Sequence, residues 1–407
     1  MVAFNKYWFF LEPTTFIFQD SEKYLLYNSE SGFRIIAEKN NNLDLFFSEL
    51  QNPENPHCVN LEDLHSNEDV MSLVEAMKDK YMGDIIVSNT APVVIPPIFK
   101  CHADKPKGDL FYIEGASLMS LLNNVTFYLN GKCTQKCPHC SMYYKQFDYC
   151  HKSNNELSLQ NVLLKIEHCI STSSVSLNFY GGNIFLYSKL NLLLEYLDTK
   201  NLKSNFYFNY LNWNEKYKEY FLCKSIYYNV FVHFPYNKAK FNSLLFSMDG
   251  STNRVRFIFI VVSEEEYSLT NQIIEEHKLT WFIIKPFYNK QNLSFFKENI
   301  YLDTMELSES SPSKHDIYKR QQINIFDFGK LIIDSSGYVF ANFNHPQIGN
   351  INENLPEIIK RELQNGKSWK RIRNQKPCNE CIYQYICPSP SNYELIINQN
   401  NLCNIKV

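Results

Sequence analysis

Apolar runs alternate with amphipathic stretches through the middle of the chain. Short apolar runs lie at residues 125–129, 176–180, 205–210, 230–234, 256–262 and 281–284. Between them, apolar residues recur at helical spacing over 159–169, 190–197, 215–221, 238–247 and 264–277. This alternation of strand and helix is typical of βα units that build a parallel sheet. The pattern therefore predicts an α/β domain with six strands over residues 123–310.

The first 95 residues follow a different pattern, with three strand-like runs before two helical stripes. The runs lie at 7–11, 16–18 and 23–28, and the stripes at 43–50 and 70–81. We therefore expect a separate module over residues 1–95. The prolines that follow predict a connector over 96–122.

Composition narrows the range of partners. The 407 residues are 44% hydrophobic, which is enough for a large core, and their length favours two or three domains. The net charge is only −3, whereas a nucleic-acid-binding domain is usually strongly basic. We therefore expect a small molecule or a peptide as the partner, and no nucleic acid.

The start of the chain has no basic segment followed by a long apolar one, as a signal peptide would have. No apolar run approaches the ~18 residues of a transmembrane helix. We therefore expect a cytoplasmic protein without a membrane contact. Thiols stay reduced in that compartment, so grouped cysteines indicate metal or catalytic sites.

The first cysteine group directly follows the first predicted strand. It consists of Cys133, Cys137 and Cys140, spaced C-x3-C-x2-C. Cuboidal iron–sulfur clusters are usually held by four thiolates, so three would leave one iron open to another ligand. The alternatives are a zinc site with distant ligands or three unrelated buried thiols. Cys150 and the other isolated cysteines have no ligand spacing, although Cys150 lies close to this loop in sequence.

This spacing resembles the signature of the radical S-adenosylmethionine (SAM) superfamily. The resemblance implies a partial (β/α)6 barrel with its site at the carboxyl ends of the strands. It also implies a [4Fe-4S] cluster whose open iron binds SAM and whose electron cleaves SAM to a 5'-deoxyadenosyl radical. His139 lies within this loop, and we expect it to contact the cofactor.

The second predicted strand ends in the turn Gly181-Gly182-Asn183. This turn is similar to the Gly-Gly-Glu turn that holds the SAM amino group in the superfamily, so the resemblance makes all three residues cofactor-binding. Asn183 departs from the pattern because its amide is neutral, whereas a carboxylate would make a charge-assisted hydrogen bond to the ammonium.

A second cysteine group closes the chain. Its members are Cys378, Cys381, Cys387 and Cys403. With a predicted hairpin over 328–343, the group resembles a SPASM domain, which we expect over residues 311–407. Ser391 and Asn342 stand where further SPASM cysteines would fall. The four remaining thiols can ligate one auxiliary [4Fe-4S] cluster, and a zinc ion is the alternative.

The N-terminal module resembles the winged-helix element that binds leader peptides, which commonly join a sheet edge as an added strand. A domain that only caps the core is the alternative. Together these features resemble SPASM peptide maturases that act on precursors with double-glycine leaders, a group in which some members are pseudo-radical-SAM partners.

The resemblance implies an enzyme that modifies a ribosomally synthesised precursor peptide and forms a crosslink, thioether or epimer. The alternative is a degenerate partner that presents the peptide to a second maturase. The expected partners are the precursor with its leader, a second radical SAM maturase and an electron donor such as flavodoxin or ferredoxin.

Overall fold

The computed structural model describes residues 6–52, 57–62, 67–94, 118–171, 174–248 and 254–405. Most of the connector predicted over 96–122 lies outside these residues, and so does Cys101. The domain boundaries predicted at 95, 122 and 310 stay predictions.

The N-terminal part combines short antiparallel sheets with two helices. In chain order its elements are β1 (Lys6–Leu11), β2 (Thr15–Gln19), β3 (Lys23–Asn28), β4 (Arg34–Glu38), α1 (Asn41–Leu50), β5 (Cys58–Asn60), α2 (Glu68–Asp79) and β6 (Gly83–Ser88). One sheet has the order β5-β1-β6 and the other β2-β3-β4. The three predicted strands and both helices are present, whereas β4, β5 and β6 were not predicted.

Helix α1 illustrates how local sequence determines these elements. The Asn40 side chain caps its start by accepting hydrogen bonds from the backbone N–H groups of Asn42 and Leu43. Leu43, Phe46, Phe47 and Leu50 form the buried stripe that the spacing predicted. These side chains pack with Phe9 and the stripe of α2 in one apolar core.

Nine of the described strands form a single large sheet. They are β7 (Asn124–Tyr128), β8 (Ser176–Tyr180), β9 (Ser204–Asn209), β10 (Ile226–His233), β11 (Val255–Val261), β12 (Phe282–Pro286), β13 (Lys330–Ile333), β14 (Tyr338–Phe340) and β15 (Gly349–Asn350). Their order is β12-β11-β10-β9-β8-β7-β13-β14-β15. Strands β7 to β12 run parallel in chain order, and the βα prediction for this region is confirmed.

Ten α-helices accompany this sheet among the described residues. They are α3 (Cys140–Gln146), α4 (Leu159–Ile170), α5 (Leu190–Thr199), α6 (Lys238–Ser247), α7 (Glu264–His277), α8 (Leu293–Asn299), α9 (Thr304–Glu309), α10 (Lys314–Gln322), α11 (Leu355–Asn365) and α12 (Asn392–Ile397). Four of them, α4 to α7, are at predicted positions. The helix predicted over 215–221 is instead a 3₁₀ helix, Glu215–Leu222, which still buries Tyr217 and Phe221.

The sheet is open, because its outer strands are β12 and β15. Strand β7 lies between β8 and β13. Both neighbours pair with β7 in parallel. The hairpin predicted over 328–343 is present as β13 and β14, and it extends this same sheet. The α/β class is therefore confirmed, and the partial (β/α)6 barrel stays a prediction.

The two faces of the large sheet differ in character. One face packs against helices through an apolar core that includes Val125, Phe179 and Val230. The other face carries a row of stacked aromatic rings, in which Tyr180 lies 5.2 Å from Tyr128 and 4.1 Å from Tyr207 between ring centroids. The cysteine loop lies at the carboxyl end of this aromatic face.

The N-terminal module packs directly on the C-terminal part of the chain. Phe16 contacts Tyr318 with ring centroids 5.3 Å apart, and Phe18 contacts Tyr385 at 6.3 Å. The Tyr27 hydroxyl donates to the Pro312 carbonyl at 2.8 Å. Deleting the module would expose this apolar contact, so its function is better tested by single substitutions. Within the described ranges, no helix is both long and apolar enough to cross a membrane.

Candidate functional site

The first cysteine group lies in the loop between β7 and α3, where a parallel sheet usually carries its site. Cys140 is the first residue of α3, and His139 before it has a left-handed backbone with φ of 55°. The His139 ring lies 5.8 Å from the Phe287 ring. The loop therefore turns sharply at His139 and brings Cys140 back toward Cys137.

Cys133, Cys137 and Cys140 line one cavity of about 250 Å³. Gln135 of the same loop also lines it, and three further segments of the chain contribute Tyr149, Cys150, Lys152, Gly182, Asn209 and Asn212. The structure thus brings together the three predicted thiols and Gly182. It also places Cys150 at the same cavity, which sequence spacing did not indicate.

Gly182 holds the cysteine loop against the end of β8. Its N–H donates to the Asn130 carbonyl at 2.9 Å, and the N–H of Asn183 donates to the Lys132 carbonyl at 2.6 Å. A Cβ atom on Gly182 would lie 2.4 Å from the Gly131 carbonyl oxygen and 2.7 Å from that of Lys132. Only glycine allows this approach of two backbones.

Asn183 itself takes part in the turn rather than in the cavity lining. Its side-chain oxygen accepts from the Phe185 N–H at 3.1 Å and caps the 3₁₀ turn Ile184–Leu186. Its carbonyl accepts from the Asn130 side chain at 3.1 Å. Asn183 is buried, and its amide oxygen is already used within the protein. Its role in cofactor binding stays a prediction.

Two asparagines that sequence reasoning missed lie beside the thiols. Asn209 ends β9, and its side-chain nitrogen lies 4.0 Å from Cys137 Sγ while donating to the Tyr149 hydroxyl at 3.0 Å. The Asn212 side-chain oxygen lies 3.9 Å from Cys133 Sγ. The available signal was their place at the carboxyl end of the third predicted strand, next to the strand that ends in Gly182.

His233 is a further buried polar residue that sequence reasoning missed. It ends β10, and neither of its ring nitrogens has a hydrogen-bond partner among the described residues. Its ring lies 6.5 Å from Tyr143 on α3, the helix that begins at Cys140. Burial lowers the pKa of His233. A neutral imidazole with two unused nitrogens therefore lies at the same edge of the sheet.

Burial governs the acidity of the first cysteine group. It raises the pKa of Cys137 to about 11, and the neighbouring thiols of Cys140 and Cys133 add to the effect. Burial also raises the pKa of Cys140, whereas the nearby Lys152 ammonium lowers it in part. Because thiolate is the ligand form of cysteine, a metal centre bound here has to displace these protons.

The second cysteine group is also brought together. Cys378, Cys381, Cys387 and Cys403 line one cavity of about 380 Å³ together with Arg373. Cys403 reaches it because the terminal strand-like segment pairs with Leu302. Burial raises the pKa of Cys381 to about 11 and that of Cys387 to about 12. All four thiols named from sequence spacing therefore surround a common space.

Arg373 connects this four-thiol cavity to the C-terminal helix. Its guanidinium lies 3.6 Å from Cys378 Sγ and pairs with Glu394 at 3.0 Å. Both side chains of this ion pair are more than nine-tenths buried. Such a pair contributes to a single arrangement of its surroundings only when its remaining polar atoms are bonded. Here Arg373 also donates to the Pro388 carbonyl at 2.6 Å.

The two positions that depart from the SPASM pattern are used in polar contacts. The Asn342 side chain donates to both Asp327 carboxylate oxygens, at 3.1 and 3.0 Å, and Asp327 also pairs with Arg371. Ser391 caps the start of α12 in a capping box with Glu394. Hydrogen bonds therefore occupy the place where further thiols would stand.

Neither cysteine group is arranged for a single ion. Within the described residues, no three His, Cys, Asp or Glu side chains are placed as ligands of one metal ion. The thiols instead face cavities, each lined by groups from several chain segments.

We predict that Gly182→Ala strongly weakens metal binding at the first cysteine group. The added methyl group collides with two backbone carbonyls, so the loop has to move away from β8. After anaerobic iron loading, the variant should lose most of the iron held there. Gly181→Ala is the matched control, because its Cβ would meet nothing closer than 3.1 Å. Equal iron contents in both variants would show that the close approach at Gly182 does not shape the site.

No protein-family model matches the sequence, and a search of curated proteins finds no match. Among solved structures, the chain is similar to Streptococcus suis SuiB in two crystal structures, one bound to the precursor peptide SuiA and one bound to S-adenosylmethionine. Each alignment covers 98% of this chain and 99% of SuiB, at 12% identity and a TM-score of 0.51. This chain therefore shares the overall fold of SuiB along nearly its whole length.

Proposed function

We propose that the chain is a radical SAM enzyme that modifies a ribosomally synthesised precursor peptide. Cys133, Cys137 and Cys140 line a single cavity at the carboxyl edge of a parallel sheet, with Gly182 on the same cavity wall. SuiB, which has the same fold, is bound to SAM in one structure and to a precursor peptide in another.

In this proposal Cys133, Cys137 and Cys140 hold a [4Fe-4S] cluster, which when bound supplies the electron that cleaves SAM to a 5'-deoxyadenosyl radical. Asn209 and Asn212 orient the thiol groups through their side chains. The aromatic rings of Tyr149 and Tyr143, 4.6 Å apart, exclude water from one side of the site. His139, Gly181, Gly182 and Asn183 are the expected contacts of SAM.

Cys378, Cys381, Cys387 and Cys403 hold the proposed auxiliary [4Fe-4S] cluster. Four thiolates satisfy all four irons, so this cluster has no open position for a substrate. The four thiols line one cavity, which is the observation that supports a shared metal centre there, and a zinc ion stays the alternative. Helix α12 packs against α3, so it links the surroundings of the two cysteine groups. We propose that the auxiliary cluster relays electrons or anchors the structure around it.

The N-terminal module offers an edge at which a leader peptide could add as a strand. Strand β4 is the outer strand of its sheet. The Asn28 N–H donates to Phe33 and the Lys39 N–H to Glu22 across the β3–β4 pair. Because hydrogen-bonded positions alternate in an antiparallel pair, the Ile36 N–H points away from β3. The precursor and its leader are thus proposed to bind along β4.

A second candidate function is a partner that presents the peptide to another maturase. The use of the Asn183 oxygen within its own turn favours it, because that oxygen is then not free to bind the SAM ammonium. The electron donor, the second maturase and the cytoplasmic location stay predictions.

Anaerobically reconstituted protein should contain about eight irons if both cysteine groups hold [4Fe-4S] clusters. Cys133→Ala should remove only the half that responds to SAM, and Cys378→Ala only the other half. Cys223→Ala is the control, because Cys223 lies at neither cavity. Metal analysis of the four proteins tests this prediction. A content of about four irons and one zinc would contradict the auxiliary cluster but not the cluster at the first cysteine group.

Enzyme and partner differ in the release of 5'-deoxyadenosine. The enzyme should produce it from SAM and dithionite in amounts well above those of Cys137→Ala, as measured by chromatography. The assay is run with and without precursor peptide and any second maturase. If cluster-bearing wild-type protein matches Cys137→Ala in every combination, the peptide-presenting partner replaces the enzyme.

We predict that Ile36→Pro weakens binding of the leader peptide. Proline removes the outward N–H of β4 without removing a bond to β3, so edge pairing is lost. The affinity should fall about tenfold, which corresponds to about 1.4 kcal/mol. Titration of a labelled leader peptide measures it. Ile17→Pro is the control, because it removes the outward N–H of the opposite edge strand β2.

Equal losses of affinity in Ile36→Pro and Ile17→Pro would contradict leader binding at β4. Unchanged affinity in Ile36→Pro would favour the module as a cap that only completes the core. Circular dichroism of both variants separates these outcomes from unfolding.

A further inference from the structure

Cys150 lies at the wall of the cavity that the three loop thiols share. It comes ten residues after Cys140 in sequence, on the segment that leaves α3 and returns beneath the cysteine loop. Its residue is only 6% exposed. Four thiols from two chain segments therefore surround one space of about 250 Å³, where the spacing of the loop predicted three.

The segment that carries Cys150 is tied to the base of the cysteine loop. The Ser153 N–H donates to the Gly131 carbonyl at 3.0 Å, and the Gly131 N–H donates to the Asn155 carbonyl at 3.0 Å. On its other side, Tyr149 is held by the Asn209 side chain, which also lies 4.0 Å from Cys137 Sγ. These contacts fix Cys150 beside the other three thiols.

The other isolated buried thiols have different surroundings. Cys169 is fully buried in the apolar core between the sheet and its helices. Cys58 lies in the N-terminal module and donates to the Pro92 carbonyl at 3.2 Å. Neither lines the cavity of either cysteine group. Cys150 differs from them in facing a space already walled by thiols.

We propose that Cys150 is the fourth thiolate ligand of the cluster at Cys133, Cys137 and Cys140 when SAM is absent. This inference rests on the proposed function and adds a ligand to its first site. Four thiolates complete the ligand set of a cuboidal cluster. Cys150 thereby covers the iron that three thiols alone would leave open.

Binding of SAM at the open position would then require Cys150 to leave the cluster. In exchange for the bond from Cys150 Sγ, the cluster would take SAM as its ligand, and the Cys150 thiolate would take up the proton that the SAM ammonium gives up. This exchange would transfer no electron.

The test measures how readily the first cluster loses its fourth iron. A cluster held by three thiolates is converted to a [3Fe-4S] form by mild oxidation, whereas a fully ligated cluster resists. Anaerobically reconstituted full-length protein is oxidised with ferricyanide, and the [3Fe-4S] signal is quantified by electron paramagnetic resonance. Cys150→Ala should give a signal several times larger than wild type. Cys223→Ala, a partly buried thiol outside both cavities, should match wild type.

Cys150→Ser is the second variant, because a serine oxygen can replace the sulfur as a ligand. Its [3Fe-4S] signal should lie between those of wild type and Cys150→Ala. The [3Fe-4S] signals of wild type and Cys150→Ala could be equal while Cys133→Ala still lowers the iron content. That result would overturn the role of Cys150 and leave the proposed function intact. If Cys133→Ala removes no iron, the first cluster is absent and both proposals fail.

Discussion

The close approach of two backbones at Gly182 is the contact on which the first site depends. The turn after β8 and the loop after β7 meet with no room for a side chain between them. Two short backbone hydrogen bonds then join the turn to the loop. This contact places Cys133, because Cys133 directly follows Lys132, whose carbonyl accepts from Asn183. The start of the cysteine loop is thereby held against the end of the neighbouring parallel strand.

The C-terminal part of the chain continues that frame. Strand β13 pairs with the outer side of β7, so the first strand of the site lies between two parallel neighbours. Helix α12 packs against α3 and carries Glu394, the buried partner of Arg373 beside the four-thiol cavity. The two cysteine groups are therefore linked through the contact between α12 and α3. Asn342 and Ser391 make hydrogen bonds within this region, to Asp327 and to Glu394.

Periodicity was sufficient to predict the βα order within residues 123–310, because buried parallel strands and amphipathic helices have distinct local patterns. The two cysteine groups were named from the spacing of the cysteines, and the structure places the members of each group at one cavity. The short strands β4, β5 and β6 were missed, since three to six residues with mixed polarity carry little local signal. Asn209, Asn212 and His233 were missed for another reason. They reach the carboxyl edge of the sheet through the order of its strands, which no local spacing encodes. Cys150 was noted only for its nearness to the loop in sequence, since it has no ligand spacing.

We propose that two groups of cysteines, one after β7 and one near the C-terminus, each hold an iron–sulfur cluster. Anomalous diffraction at the iron absorption edge from anaerobic crystals can locate both. Two compact iron peaks are expected, one among Cys133, Cys137 and Cys140 and one among Cys378, Cys381, Cys387 and Cys403. If crystals with a verified iron content show no iron peak at the first group, the cysteines there do not hold a cluster.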